Sequence, residues 1–355
     1  MRRLWIDIHL WLGLTLGALG IFIGASGAVL LYDREIDAAL GPARYAVSGA
    51  AVAQPLAGYA GSAAQAAGEG ARVMSLRLPE AAGDPLVATV RGRAPGAFAR
   101  VYLDPPTARV LGIAAGGGFT GWMHRFHENL ALRDYGGRTV VGAVGVVMLA
   151  SALSGLYLWW PARGGLRAAL GFRTGLALSR NLHYLCGFYG CLLLAVISFT
   201  GIWLAFPEAA RAVAGKLGPV GPSPREIRAS LAPARGAGVS PDAALAAARA
   251  LYPAAQLAAV GFPAGPRGVY RFGLASGAGP VHVYVDPASG SVLHRSEPAT
   301  RSAGERALAL VRELHAGQIL GADGRMLFLL AGALPGVLAV TGATMWWRQR
   351  RRAPA

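Results

Sequence analysis

The sequence predicts an α-helical membrane protein with a four-helix transmembrane core and two small α+β lobes on one side of the membrane, built as a tandem parallel repeat. Three observations predict this fold class. The chain has four long apolar windows, its arginines are concentrated beside those windows, and short motifs recur at a nearly constant offset. Together they indicate how many helices cross the membrane, which way they face and how the two halves are related.

The apolar windows are each long enough to cross a bilayer, which needs about 20 residues. Hydrophobic residues make up 54% of the chain, and ordinary soluble domains have about 45–50%. About a hundred Gly- and Pro-rich residues separate the first window from the second, and the third from the fourth, enough for one small domain each time. The windows are Leu10–Tyr32, Thr139–Trp160, Tyr184–Phe206 and Met326–Trp347.

These windows divide the chain into eight consecutive segments. Amphipathic stretches at Gly121–Leu130 and Ala303–Gly317 are expected to lie in the membrane interface ahead of the second and fourth spans. In chain order the segments are transmembrane helix 1 (1–33), lobe 1 (34–118), an interfacial helix with transmembrane helix 2 (119–161), a loop (162–182), transmembrane helix 3 (183–207), lobe 2 (208–300), an interfacial helix with transmembrane helix 4 (301–348) and a tail (349–355).

The net charge of +16 comes almost entirely from arginine, and many arginines flank the windows, as on the cytoplasmic side of membrane helices. Both termini and the loop 162–182 are therefore expected in the cytoplasm, and both lobes in the periplasm. The chain would be a multi-pass, lipid-embedded protein of the bacterial inner membrane. Nucleic acid is not an expected partner, because that would need basic residues on one soluble face with aromatics interleaved. The flanking arginines are Arg2, Arg3, Arg163, Arg167, Arg173, Arg180, Arg348, Arg350, Arg351 and Arg352.

Motifs that recur in the lobes and in the spans indicate a duplication. Val101–Pro105 and Val283–Pro287 share the pattern Val-Tyr-x-Asp-Pro at an offset of 182, and each predicts a strand that ends in a turn. A helix is predicted at Pro241–Leu251 with Ser240 as its N-cap. Because helix, lobe and helix occur twice in the same orientation, equivalent residues should lie at equal depth around an axis along the membrane normal. The matched positions in the spans are His9 with His183, Ser26 with Thr200, and Ser154 with Thr341.

Four of the seven histidines form two pairs under this repeat. His9 and His183 lie at the cytoplasmic ends of helices 1 and 3, and His127 and His315 lie just outside helices 2 and 4. Two imidazoles at equal depth on facing helices can supply both axial ligands of a haem. The structural alternative is that duplication copied histidines that only anchor helix ends at the interface. The matched spacing of two pairs, one on each side of the membrane, favours haem ligation.

Other polar residues near the His127 pair are further candidates. His124 lies three residues before His127 on the same helical face, and its repeat position holds Arg312. It is a candidate alternative haem ligand, propionate partner or substrate contact, or else an interfacial polar residue. Arginine can hold carboxylates bidentately. The arginines near this pair, candidates for propionate binding or for membrane anchoring, are Arg125, Arg138 and Arg325.

Motifs for other cofactors are missing from the sequence. It contains no G-x-G-x-x-G after a predicted strand, no P-loop and no C-x-x-C-H attachment site. Any haem would therefore be b-type and non-covalent, and electrons would come from another molecule. The two cysteines, Cys186 and Cys191, both fall in the third span and are expected to be packing residues.

The order and duplication of these motifs resemble the PepSY-associated transmembrane proteins, which include iron-regulated inner-membrane proteins and a siderophore-reductase branch. The resemblance covers nearly the whole chain. It rests on Ile8–Gly13 in the first helix, on the Asp-Pro turns of the lobes, and on Thr341-Gly342 and Trp346-Trp347 before the last arginines.

This resemblance implies a four-helix core that carries two b haems, and periplasmic PepSY lobes that flank the outer haem. Carried over residue by residue, the ligands are His9 with His183 and His127 with His315. One departure is in the first lobe. There Pro106–Arg109 differs from the usual Asp-Pro-x-Thr-Gly turn, which the second lobe keeps at Asp286–Gly290.

The function that the sequence favours is transmembrane electron transfer by a haem-dependent ferric-siderophore reductase. A cytoplasmic or quinol donor would supply electrons at the His9 pair, and a ferric siderophore would receive them at the His127 pair. The alternative is a non-enzymatic membrane protein whose PepSY-like lobes bind or regulate a partner. A transporter is less favoured, because the spans lack the carboxylates deep in the membrane that proton-coupled carriers usually need.

Overall fold

The structure is a computed structural model that describes residues 1–15, 17–94, 96–160, 170–230, 238–265, 267–277, 279–317, 319 and 321–351. Three of the flanking arginines, Arg163, Arg167 and Arg352, lie outside the described residues. The chain forms two compact units. The helical unit contains residues 1–33, 123–214 and 307–355, and the sheet unit contains residues 34–122 and 215–306.

Long apolar helices make up most of the helical unit. Three helices of the described chain are long and apolar enough to cross a membrane, and the bent pair α1 and α2 makes a fourth if it forms one span. Only 17–22% of the residues in the three most apolar stretches are buried inside the protein, so these stretches need lipid around them. The helices that lie in this unit or enter it are α1 (Arg2–Thr15), α2 (Gly17–Leu30), α5 (Gly118–Asn129), α6 (Gly137–Trp159), α7 (Leu178–Ala205), α8 (Pro207–Ala214), α11 (Ala303–His315) and α12 (Gly321–Arg350).

Glycines let the membrane helices approach one another closely. A Cβ at Gly24 of α2 would lie 2.6 Å from the carbonyl oxygen of Gly332 on α12, and a Cβ at Gly332 would lie 2.7 Å from the carbonyl oxygen of Gly24. The two backbones are thus in contact, as is usual where small residues meet between membrane helices. α6 packs against α7, and α12 also packs against α7.

Left-handed residues set the bounds of α5, which sequence periodicity placed at Gly121–Leu130. Gly117 and Gly118 have φ values of +80° and +68°, and the helix begins at Gly118. Leu130 and Ala131 have φ values of +54° and +57°, which end the helix at Asn129. Glycine adopts this region readily, and other residues adopt it at a cost in backbone strain.

The sheet unit contains one antiparallel sheet of eight strands, in the order β4-β3-β2-β1-β5-β6-β7-β8. Each half of the chain supplies a helix followed by four strands, α4 (Leu56–Ala67) and then α10 (Pro241–Leu251). Ser240 caps α10 as expected, because its hydroxyl accepts a hydrogen bond from the Ala243 amide at 3.1 Å. The strands are β1 (Arg72–Arg77), β2 (Leu86–Arg91), β3 (Phe98–Leu103), β4 (Val110–Ala115), β5 (Gln256–Gly261), β6 (Tyr270–Ser276), β7 (Gly279–Val285) and β8 (Val292–Ser296). The remaining helices of this unit are α3 (Asp33–Leu40) and α9 (Pro224–Ser230).

The two lobes expected from the sequence are joined through their first strands. β1 pairs with β5, with Leu76 opposite Val260, and both side chains are fully buried. One apolar core under the sheet contains residues from both halves, including Tyr59, Leu86 and Phe272. The lobes therefore form one sheet with one core, which removes an exposed edge from each of them.

The first Asp-Pro turn keeps the form of the second despite its different sequence. Asp104 accepts a hydrogen bond from the Thr107 hydroxyl at 2.5 Å, and Asp286 accepts one from the Ser289 hydroxyl at 2.7 Å. Ala108 has a φ of +58° where Gly290 has +73°. An alanine thus occupies a left-handed position that usually favours glycine.

Candidate functional site

The structure brings four histidines together in two pairs, and these are the pairs that the sequence offsets predict. The ring centres of His9 and His183 lie 6.2 Å apart, with their planes at 81°. The ring centres of His127 and His315 lie 6.1 Å apart, with their planes at 44°. All four lie in the helical unit. Each pair combines one histidine from the first half of the chain with one from the second half.

Different helices carry the two pairs. His9 lies on α1 and His183 near the start of α7, whereas His127 lies near the end of α5 and His315 is the last residue of α11. α7 also carries Thr200, which contacts His315 and lies 17 residues beyond His183. At a rise of about 1.5 Å per residue, the two pairs are separated by about 25 Å along this helix.

A hydroxyl on a neighbouring helix holds each imidazole by its Nδ1 atom. The four hydroxyls belong to the Ser-Gly and Thr-Gly dipeptides that mark the repeat. The carbonyl of Ile23 lies 3.0 Å from the Nδ1 of His127 as well. The Nδ1 to hydroxyl distances are 3.0 Å for His9 with Ser154, 3.0 Å for His183 with Thr341, 3.1 Å for His127 with Ser26, and 2.9 Å for His315 with Thr200.

Burial keeps the imidazoles of the His127 pair neutral at ordinary pH. Burial lowers the pKa of His127, and the nearby His124 lowers it further. Burial also lowers the pKa of His315, to about 4, with a smaller contribution from His127. Neutral imidazole is the form that binds metal ions.

The spacing of both pairs fits an iron between the two rings. A metal–imidazole bond is about 2 Å long, and the ring centre lies about 1 Å behind the bonded nitrogen, so two axial imidazoles have centres about 6 Å apart. The described part of the chain has no group of three or more His, Cys, Asp or Glu that could hold a metal ion. Two imidazoles leave most of an iron's ligand positions open, and a porphyrin would fill them.

An apolar cavity borders Thr200 and Leu314, which lie next to His315. It has a volume of about 440 Å³ and lies between α6, α7 and α11, next to Thr200, the hydroxyl partner of His315. Four of its lining residues follow one face of α11, namely Ala307, Leu310, Val311 and Leu314. Apolar walls beside a pair of neutral imidazoles suit the hydrophobic ring of a porphyrin.

The contacts described for the other candidate residues are with groups other than the paired rings. His124 is largely exposed and contacts Glu128 on its own helix at 3.4 Å. Arg325 is also exposed, and its guanidinium lies 5.5 Å from the ring centre of Tyr32. A hydrogen bond from His124 lowers the pKa of the Glu128 carboxyl. Arg138 donates to the carbonyl of Leu204 near the end of α7 at 2.6 Å. Arg125 lies on α5, one position after His124.

The hydroxyls are the part of the site that sequence reasoning missed. Ser26, Ser154, Thr200 and Thr341 stood out as markers of the repeat, but nothing in the spacing within one helix predicted contacts to histidines on other helices. The available signal was that each hydroxyl residue precedes a glycine. A small residue after a polar one in a membrane helix indicates a close polar contact with a neighbouring helix.

Comparison with known protein families gives a match over most of the chain. A family model described as PepSY-associated TM region matches residues 6–349, which is almost the full length. That range includes all four paired histidines and their four hydroxyl partners. A comparison with curated proteins gives no match.

Proposed function

Since this chain belongs to the PepSY-associated transmembrane family, we propose that it is a b-type haem electron-transfer protein that reduces ferric siderophores. The observation that carries the proposal is the close approach of two histidines at each of two places. The ring centres lie 6.2 Å apart for His9 and His183, and 6.1 Å apart for His127 and His315. This spacing suits bis-imidazole ligation of one haem by His9 and His183 and of a second by His127 and His315. Haem iron at these positions would supply single-electron chemistry by alternating between its ferric and ferrous states.

The proposed arrangement is a duplicated four-helix core in the bacterial inner membrane. α1 with α2, α6, α7 and α12 would be the four spans, with both termini in the cytoplasm because of the flanking arginines. The separation of about 25 Å between the pairs along α7 is close to the thickness of about 30 Å of a bilayer's hydrocarbon core. Activity of a reporter that works only in the periplasm, fused after Arg352, would contradict this topology.

The roles of the two pairs follow from this topology. His9 and His183 would hold their haem near the cytoplasm, where flavins, nicotinamides or quinols donate electrons. His127 and His315 would hold theirs near the periplasm, where each ferric chelate takes up one electron. Ferrous iron binds hard oxygen ligands less tightly than ferric iron does, so the chelate releases the metal. Basic residues on α5 near this pair favour the approach of an anionic chelate.

Absorption spectra of single-histidine variants test the haem assignment. The purified wild-type protein should show a Soret band that shifts on reduction with dithionite. His9→Ala or His183→Ala should remove one haem of two, and His127→Ala or His315→Ala should remove the other. Two low-spin ferric signals should appear in electron paramagnetic resonance, because the ring planes meet at 81° in one pair and 44° in the other. Full haem content in all four variants would contradict the assignment.

Anaerobic mixing with ferric siderophores tests the reaction. The reduced protein should be re-oxidised in stopped flow while ferrozine traps ferrous iron. Gly13→Ala is a control, because Gly13 lies in α1 and a Cβ there would meet nothing within 4 Å. Re-oxidation by oxygen or quinone alone would refute the substrate and leave the haem assignment standing. A protein that binds no haem would favour the alternative of a non-enzymatic, partner-binding membrane protein.

A further inference from the structure

Four equivalent contacts, one at each paired histidine, form the most regular feature of the helical unit. In each contact the Nδ1 of an imidazole meets a Ser or Thr hydroxyl of another helix, and the hydroxyl residue is followed by glycine. The four dipeptides are Ser26-Gly27, Ser154-Gly155, Thr200-Gly201 and Thr341-Gly342.

The hydroxyls direct their single proton to their own helix. Ser26 donates to the carbonyl of Ile23 at 2.9 Å, and Ser154 donates to that of Ser151 at 3.2 Å. Thr200 and Thr341 donate to carbonyls one turn earlier, with shortest distances of 2.8 Å and 2.6 Å. A hydroxyl whose proton is used in this way has only lone pairs left for the imidazole. The Nδ1 atoms must therefore be the donors.

His127 gives independent support for this direction. Its Nδ1 also lies 3.0 Å from the carbonyl oxygen of Ile23, and a carbonyl oxygen can only accept a hydrogen bond. A neutral imidazole with its proton on Nδ1 has a free lone pair on Nε2. That nitrogen is then the one able to bind iron.

The glycines make room for the rings. A Cβ at Gly27 would lie 2.9 Å from Cε1 of His127, and one at Gly155 would lie 3.0 Å from Cε1 of His9. At Gly201 and Gly342 the corresponding distances are 3.3 Å to His315 and 3.2 Å to His183. A larger residue in place of the glycine would push the imidazole ring away from the hydroxyl of the preceding residue.

We propose that the four hydroxyl–glycine dipeptides are positioning residues that hold each histidine as the Nδ1–H tautomer, with Nε2 free to bind haem iron. The inference rests on the proposed function for its purpose, but the tautomer itself is a property of the chain alone. A hydrogen-bond acceptor at the far nitrogen of a metal-binding histidine fixes its orientation and raises its basicity. Loss of such a partner typically weakens metal binding by about 10- to 100-fold.

Nitrogen NMR of the haem-free full-length protein, labelled in histidine and held in lipid nanodiscs, tests the tautomer. Two-bond nitrogen–proton couplings show which ring nitrogen carries the proton. The four paired rings should carry it on Nδ1, although free neutral imidazole prefers Nε2. Thr341→Ala should shift His183 towards the Nε2–H form, and Thr341→Ser should restore the wild-type signal. Paired rings in the Nε2–H form in the wild type would overturn the proposal.

Haem titration of the same variants tests the consequence. Ser154→Ala, Thr200→Ala and Thr341→Ala should each weaken haem binding at one pair by about 10- to 100-fold and raise the reduction potential of that pair only. The loss in Ser26→Ala should be partly offset, because the Ile23 carbonyl lies 3.0 Å from the Nδ1 of His127 and can still accept its hydrogen bond. The matched controls are Thr344→Ala and Thr15→Ala. Each of these hydroxyls donates to a carbonyl of its own helix, and no histidine contact is found for either among the described residues.

The outcomes separate this inference from the proposed function. Variants that match the wild type in tautomer, haem affinity and potential would overturn the positioning role. A haem-free protein that shows four Nδ1–H rings and takes up no haem would refute the proposed function and leave the positioning role intact.

Discussion

At the residue scale, Gly27 and Gly155 leave little room for an added methyl group beside the imidazoles of His127 and His9. If the proposed haems are bound, Gly27→Ala and Gly155→Ala should each lower haem occupancy at one pair, because the new methyl group would lie 2.9 Å or 3.0 Å from an imidazole carbon. Gly201→Ala and Gly342→Ala should have smaller effects, since the distances there are 3.3 Å and 3.2 Å. Haem content per chain, measured by the pyridine haemochrome assay, gives the result.

Gly13→Ala is the control for this series. Gly13 lies in α1, and a Cβ there would meet nothing within 4 Å. Its substitution should leave both proposed haems in place and stabilise the helix slightly, because alanine has a higher helix propensity than glycine. Equal losses in Gly13→Ala and Gly155→Ala would show that the effect is not specific to the imidazole contact.

Tyr102 makes the sheet unit sensitive to alkaline pH. Burial and a hydrogen bond to Asp37 at 2.5 Å raise the pKa of its phenol to about 12. In the unfolded chain a tyrosine loses its proton near pH 10, so between about pH 10 and 12 the unfolded state gains from deprotonation and the folded state does not. Stability that is fully present below pH 10 should therefore be lost as the pH rises through this range.

The variant Tyr102→Phe separates this contribution from that of the other tyrosines. It should lower the free energy of unfolding at neutral pH by about 1–3 kcal/mol, because Asp37 loses a buried donor. It should also flatten the decline in melting temperature above pH 10. An unchanged alkaline slope in Tyr102→Phe would contradict the assignment.

At the scale of elements, the crossing of α2 and α12 depends on two glycines. Gly24→Ala or Gly332→Ala would place a methyl group less than 3 Å from the backbone of the other helix. The helices must then separate, and we expect a loss of about 1–3 kcal/mol from the overpacked contact. Thermal unfolding in detergent, followed by helical circular dichroism, measures the change.

Gly336→Ala is the matched control on α12. A Cβ at Gly336 would lie 3.9 Å from a side-chain carbon of Ile21, an ordinary van der Waals distance. The variant should melt at or slightly above the wild-type temperature. A loss as large as that of Gly332→Ala would mean that α12 tolerates no added methyl group, whatever its neighbour.

The sequence predicts the start of a helix where capping residues mark it. It does not predict where a long apolar helix breaks or bends. The Ser240 hydroxyl and Pro241 predict the start of α10 because a cap acts within one turn. The window Leu10–Tyr32 predicts one apolar span, but hydropathy carries no information about bends in the helix axis. The structure divides this region between α1 and α2. The pairing of His9 with His183 followed from equal offsets, whereas the partners of their Nδ1 atoms depend on how helices rotate when they pack.

At the scale of the whole molecule, the sequence did not predict that the two lobes share one sheet. Repeat offsets relate β1 to β5 as equivalent strands, but equivalence does not imply pairing. Leu76 and Val260 are far apart in the chain, and the apolar alternation of each strand would suit a separate lobe equally well. The two halves are joined by backbone hydrogen bonds between β1 and β5. Backbone groups are the same in nearly every residue, so the sequence does not reveal this pairing.

Asp242 provides a test of this joining. Its carboxylate, on α10 of the second half, accepts hydrogen bonds from the amides of Leu56 at 2.7 Å and Ala57 at 3.1 Å, at the start of α4 in the first half. Asp242→Ala should therefore lower the free energy of unfolding of the whole sheet unit by about 1–2 kcal/mol, as the loss of a helix cap does. Asp242→Asn, which keeps one acceptor, should have a smaller effect.

Denaturant unfolding followed by the circular dichroism of the sheet measures this change. We expect a single transition in the wild type and in both variants, shifted to lower denaturant in Asp242→Ala, because the two halves share one core. Two separate transitions, only one of them shifted, would indicate that the lobes fold independently.

The division of each imidazole pair between the two halves of the chain has a consequence for biosynthesis. His9 and His127 leave the ribosome well before His183 and His315, so neither site can be completed while only the first half has been translated. The His9 pair becomes available first, and the His127 pair only after residue 315 has emerged. A chain that ends before residue 183 would carry no complete pair, and one that ends between residues 183 and 315 would carry only the His9 pair. Binding of the two proposed haems would therefore select full-length molecules.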